Sequence, residues 1–214
     1  MADWTPYIVR QGDYLDGLAY RAGASPKDVW QHAKNKELTK KRDSGDQLAP
    51  GDVIYLPDNP KTPIQFSKTS SVQLTADIPR RDITVHFETA EGPVANQPYL
   101  VEPSPRGQDP KSPPQSGGDG KVTLSVTVIQ REVTVHFTQL QKKYTLLIGA
   151  MDPVTERSGV QKRLENLAFL TPNLRASDAT LARALRAFQR AVGIEPTGEA
   201  DESTRKKLVA EAGL

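Results

Sequence analysis

His86 and His136 hold the same place in two nearly identical pentapeptides, Ile83-Thr-Val-His-Phe87 and Val133-Thr-Val-His-Phe137. Matched imidazoles on two strands are a start toward a zinc site, but zinc needs a third and a fourth ligand beside them. No acidic or histidine cluster accompanies either pentapeptide, so both histidines read as surface residues of a sheet and no metal site is expected. His32 stands far from both in sequence. The chain has no cysteine, which removes disulfides, thiolate metal ligands and cysteine nucleophiles together. Neither Gly-x-Ser-x-Gly nor His-Glu-x-x-His occurs, and no glycine loop is built to cradle a phosphate. A carboxylate pair needs only proximity in space, yet nothing marks one among the 26 acids. The expectation is a protein that is not an enzyme, with no catalytic residue and no cofactor.

The N-terminal part of the chain is more informative as a folded module. Gly12-Asp13 and Pro50-Gly51-Asp52 are turn sequences, and by residue type alone their glycines and aspartates serve the turns themselves. Tyr7-Ile8-Val9 and Val53 to Leu56 are β-prone runs that bring these turns to the ends of two strands. Between them, Leu15, Leu18, Ala19 and Ala22 recur at helical spacing up to Gly23. Ser25-Pro26 with Asp28 then starts a second helix, whose apolar face is Val29, Trp30 and Ala33. The order is strand, helix, helix, strand. The basic tract Lys40-Lys41-Arg42 is answered by Asp43 and Asp46 and reads as solvated surface.

Proline-rich punctuation divides the rest. Residues 1–58 form the first module, and 59–76, with Pro60 and Pro63, form a linker. Residues 77–150 are β-rich: the two pentapeptides alternate strictly, as do Val122, Leu124, Val126 and Val128, and Tyr144 to Ile148 adds a further strand. This predicts a small antiparallel β-sandwich, interrupted by a Pro/Ser/Gly-rich mobile loop from Pro103 to Gly118. Residues 153–214 predict three short helices. Ser158 and Gln161 fit a capping box ahead of Val160, Leu164 and Leu167. Leu181, Leu185, Phe188 and Val192 line a helix that stops at Gly193, and a third runs from about Ser203 to Ala212. Phe188 reads as core and Gln189 as exposed. The fold class is multidomain α+β.

Tyr7-Ile-Val-Arg-Gln-Gly-Asp-Tyr-Leu-Asp-Gly-Leu-Ala19 and Leu48-Ala-Pro-Gly-Asp-Val-Ile-Tyr-Leu-Pro57 resemble the two ends of a LysM domain. The resemblance implies a βααβ fold and binding of N-acetylglucosamine glycans such as peptidoglycan or chitin. It places the sugar between Gly12, Asp13, Tyr14 and Leu15 on one side and Leu48, Ala49 and Pro50 on the other. Tyr14 stands where that family has a small hydroxyl residue, and the charged segment from Lys36 to Gln47 is long enough to cover the groove. Pro93 to Tyr99, followed by Gly118-Asp-Gly-Lys-Val122, resembles a transthyretin-like sandwich. Ala184-Leu-Arg-Ala-Phe-Gln-Arg-Ala-Val-Gly-Ile-Glu-Pro-Thr-Gly198, with Ser203-Thr204 and Leu208, resembles the peptidoglycan-binding domain of wall hydrolases. Thr171 to Asp178 stands where that family has a glycine-rich acidic turn. Chains with these three parts in this order resemble accessories of bacterial contractile injection systems, including type VI secretion.

Charge narrows the partners. The formal net charge is +2, too little for a broad field that would hold nucleic acid. No stretch approaches the roughly 18 apolar residues of a membrane span. Met1 to Pro6 has neither the basic start nor the apolar core of a Sec signal. The expected protein is cytoplasmic as made and reaches the periplasm or exterior, if at all, by a non-Sec route. Its expected function is non-catalytic peptidoglycan binding by two wall-type modules flanking a sandwich. The alternative is a structural or adaptor part of a contractile injection system, docking a secretion-spike or effector protein.

Overall fold

A computed structural model describes residues 3–58, 77–105, 108–172 and 176–212. The expected linker at 59–76 lies outside the described residues. Strand β1 (Trp4–Ile8) starts ahead of the β-prone run at Tyr7 and pairs with β2 (Val53–Pro57) in a two-stranded sheet. Between them run α1 (Leu15–Arg21), α2 (Pro26–Gln31), a single 3₁₀ turn (Ala33–Asn35) and α3 (Lys36–Lys41). Helix α3 occupies the segment that reads as a connection in the sequence. Its inward positions are Leu38 and, one turn on, Arg42, both nearly fully buried. A stripe that alternates leucine with arginine gives no apolar period, so sequence patterning misses it.

Buried Asn35 fastens this region. Its Nδ2 donates to the carbonyls of Val29 (2.8 Å) and Tyr55 (2.9 Å), and its Oδ1 accepts from the Tyr55 amide at 2.6 Å. The side chain thereby occupies backbone groups that a two-stranded sheet leaves open at its edge.

By its contacts the chain forms two units: residues 1–5, 16–26 and 56–148, and residues 6–15, 27–55 and 149–214. The first unit is dominated by β-structure. Strand β3 (Arg80–His86) is followed by the short hairpin β4 (Glu88–Thr89) and β5 (Gly92–Pro93), then β6 (Tyr99–Glu102), β7 (Lys121–Thr127), β8 (Glu132–Phe137) and β9 (Lys142–Leu147). β3 pairs antiparallel with β7, with Ile83 opposite Leu124, and a second antiparallel sheet has the order β6-β8-β9. One core joins the inner faces: Phe87, Val122, Leu124 and Val126 meet Val133, Val135 and Phe137. The Phe87 and Phe137 rings sit edge to face, centroids 5.1 Å apart. The alternation predicted from sequence is therefore the alternation observed.

His86 is exposed and His136 half-buried, and they stand on β3 and β8, which belong to different sheets. Among the described residues no group of histidines and acids is close enough to hold a metal ion. The Pro103–Gly118 loop is anchored at its end. Pro98 bridges to Gln115, the Tyr99 amide donates to Pro114, and buried Ser116 donates its hydroxyl to the Val94 carbonyl while accepting from the Gln97 amide. Composition suggested mobility, but these bonds, with the Gly117 amide on the Lys121 carbonyl, hold the stretch from Pro114 to Gly117 in place.

The second unit contains α4 (Arg157–Asn166), α5 (Asp178–Ala191) and α6 (Glu202–Ala212). Val160 and Leu164 of α4, Leu181, Leu185 and Phe188 of α5, and Leu208 of α6 share one core. Ser177 caps α5 by accepting from the Thr180 amide, and α5 ends as read, with Gly193 at φ 72°. The predicted Ser158–Gln161 capping box does not form. Helix α4 begins earlier, at an N-cap Glu156 whose carboxylate is engaged by Arg42, and Gln161 turns to Glu165 instead.

Candidate functional site

The second turn singled out in the sequence closes on the end of the first strand, three residues before the Gly12-Asp13 turn. The Val9 amide donates to the Asp52 carbonyl at 2.8 Å and the Gly51 amide to the Val9 carbonyl at 2.9 Å. The side chains around the two turns, however, point inward. Tyr14 is 5% exposed, Leu48 3% and Ala49 5%, and Asp13 and Leu15 are buried too. Only Gly12, half-buried, and Pro50, exposed, offer surface. Asp13 accepts from the Tyr7 hydroxyl (2.8 Å) and the Arg10 amide (3.0 Å), so it closes its own turn.

Residues 149–156 add a second layer over this edge. Gly149, at φ 74°, lies so close that a Cβ there would meet the Tyr14 ring at 2.6 Å and the Gly12 carbonyl at 2.9 Å. Gln11 donates to Asp152 at 3.3 Å. Arg42 then ties the layers electrostatically. Its Nε meets Asp52 at 2.7 Å and its Nη2 reaches both Asp52 and Glu156 at 3.0 Å. Burial by itself would raise the Asp52 pKa, but hydrogen bonds from Arg42, the Ala49 amide and Lys41, with the Arg42 charge, hold it at about 2. The bond to Asp52 likewise raises Arg42 against the opposing effect of burial. The basic tract is thus not simply solvated: Lys40 is exposed, whereas Arg42 is 4% exposed and paired. Nothing in the local sequence signals this, because the partner acid is ten residues on.

In the helical region the Phe-Gln skeleton has a structural explanation. Phe188 is core, as read, with its ring edge to face on Phe169 at 5.5 Å. Gln189 is not exposed; it is fully buried. Its Nε2 lies within 3.0 Å of Thr197 Oγ1, the Glu199 carbonyl and Thr204 Oγ1, and its Oε1 accepts from the Gly198 amide at 2.8 Å. One amide therefore folds the loop after α5 back and seats it on the first turn of α6. Gln189→Leu strands these partners without changing volume much. The expected loss is about 2–3 kcal/mol of stability, since each abandoned buried group costs about 1–3 kcal/mol. Urea denaturation checks it, and a loss under 0.5 kcal/mol (about the scatter of neutral surface changes) would contradict the network's importance.

Arg163 was not singled out by sequence either. It is fully buried, its Nη1 donating to the carbonyls of Asp152 and Gly159, each at 2.9 Å. Burial lowers its pKa, offset in part by Asp152. Gly159 permits the arrangement, because a Cβ there would collide with the Pro153 carbonyl.

An open cleft of about 460 Å³ runs between the start of α4, α5 and the loop leading to α6. Buried Val160, Leu181 and Leu185 give it an apolar floor, with half-buried Ala182 and Ala200 beside them. Arg157, Asp178, Glu199 and Arg205 form the rim, and Arg157 pairs with Asp178 at 2.7 Å. This size falls within the roughly 300–1,000 Å³ of small-ligand sites. No helix among the described residues is long and apolar enough to cross a membrane.

The buried Gln189 network and the cleft lie in one stretch of the chain, from Val154 to Arg205. Residues 154–208, which carry all of these features, match the family model described as "Putative peptidoglycan binding domain". The chain thus has a C-terminal domain of the peptidoglycan-binding type. No curated protein and no solved structure matches the chain.

Proposed function

We propose that this chain is a non-catalytic peptidoglycan-binding protein that holds the wall in the cleft between α4, α5 and the α6 loop. One observation carries the reading: the family match at 154–208 covers the residues that build this cleft. Residues 7–57 are a LysM-type module in this reading, supported by paired strands at the two ends with helices between. The sandwich, transthyretin-like in its turns, separates the two modules in sequence. A LysM-type module would bind N-acetylglucosamine oligomers along its turns. With Tyr14, Leu48 and Ala49 buried, the wall contact is assigned to the C-terminal domain instead.

That burial also favours a second reading, in which the N-terminal module serves as a packing and docking element. The chain would then be an adaptor of a contractile injection system, such as a type VI secretion spike or effector-loading part. Co-sedimentation with purified insoluble peptidoglycan separates the two. Saturable pelleting of the full-length protein is expected. Its absence under conditions where the protein stays folded would contradict wall binding and favour the adaptor.

A further inference from the structure

We propose that the cleft recognises the peptide stem of peptidoglycan rather than its glycan strand, an inference that rests on the wall-binding reading above. Sugar rings present a flat apolar face and many hydroxyls, and proteins commonly meet that face with aromatic rings and the hydroxyls with planar polar side chains. The cleft offers neither. No tryptophan, tyrosine, phenylalanine, asparagine or glutamine lines it. Its floor is aliphatic, from Val160, Leu181 and Leu185, and suits methyl groups.

The rim carries charges of both signs. Arg157 and Arg205 are cations, and Asp178 and Glu199 are anions. A peptide stem has the complementary inventory: alanine methyls, free carboxylates and the amine of a diamino residue. Arginine forks match carboxylates geometrically. Arg205 carries this role best: Arg157 is held at 2.7 Å by Asp178 and bonds the Ala176 carbonyl, whereas the half-buried Arg205 side chain feels Asp201 and Glu202 only through their charge. Exposed Glu199 faces the same cleft and supplies the site for the amine. The volume of about 460 Å³ admits a few residues of such a peptide.

The test is an NMR titration of the full-length protein with three probes: a synthetic stem pentapeptide, the same peptide with its carboxylates amidated, and peptide-free glycan released by an amidase. The free pentapeptide is expected to shift the amides of Ala182, Leu185 and Ala200. The amidated peptide and the glycan should leave them in place at equal concentration. Arg205→Glu should weaken the pentapeptide at least about tenfold while keeping the spectrum of a folded domain, as expected for loss of a charge-assisted contact. Shifts at these residues with glycan and not with peptide overturn the inference, as do equal shifts with the amidated peptide, and no shift with any probe does so too. Pelleting on whole peptidoglycan, measured alongside, tells whether the wall-binding reading survives that result or falls with it.

Discussion

Arg42→Met is expected to lower the unfolding free energy by about 3–5 kcal/mol at neutral pH, the usual consequence of stripping a buried charge of its partner. Asp52 stays behind, 5% exposed, with only Lys41 and the Ala49 amide to compensate, and Glu156 loses its contact as well. Acid should reveal the same coupling. Asp52 is depressed from an ordinary 3.8 to about 2, so its contribution is complete above about 3.8 and is lost as pH falls through 2. The wild-type advantage over Arg42→Met should therefore be full at pH 7 and shrink markedly at pH 2. Denaturant melts at the two pH values measure this. A deficit below 1 kcal/mol at pH 7, or one that does not shrink in acid, would mean that the guanidinium is solvated as the local sequence implies.

Tyr14→Ala should cost about 3 kcal/mol or more, the range for emptying a buried aromatic site. The ring lies under Gly149 and is 5% exposed, so its loss opens a cavity rather than a groove. A thermal melt of the full-length variant decides the matter. An unchanged midpoint would place the ring at the surface, where a LysM-type sugar site would need it.

Arg42 and Tyr14 are both misread from sequence, whereas strictly periodic segments are not. The twin pentapeptides were legible because strict alternation leaves one assignment of faces, and Ile83, Val85, Phe87, Val133, Val135 and Phe137 all turn to the core. The α5 stripe was legible for the same reason at helical period. The Pro50 turn does close on the strand that leads to Gly12, but the direction of Tyr14 was not readable. It depends on Gly149, which lies 135 positions along the chain. Arg42 and Gln189 fail by a shared mechanism. Polarity alone sends an arginine or an amide outward, and only a complete set of partners makes burial favourable. For Gln189 a signal was present in the spacing of Thr197, Gly198 and Thr204, which read as a family skeleton but not as a hydrogen-bond set. The cleft itself has no linear signature, since its floor is ordinary core and its rim ordinary surface.

The central claim is that the wall is held in this cleft. Ala182 of α5 is half-buried beside the floor of the cleft, so Ala182→Arg fills the cleft without replacing a core residue. Binding of wild type and variant to purified peptidoglycan, with a melting curve for each, is the direct measurement. The account predicts saturable pelleting of the wild type and at least about tenfold weaker binding by the variant, equivalent to about 1.4 kcal/mol, at an unchanged melting temperature. Equal pelleting by a folded Ala182→Arg protein would contradict it.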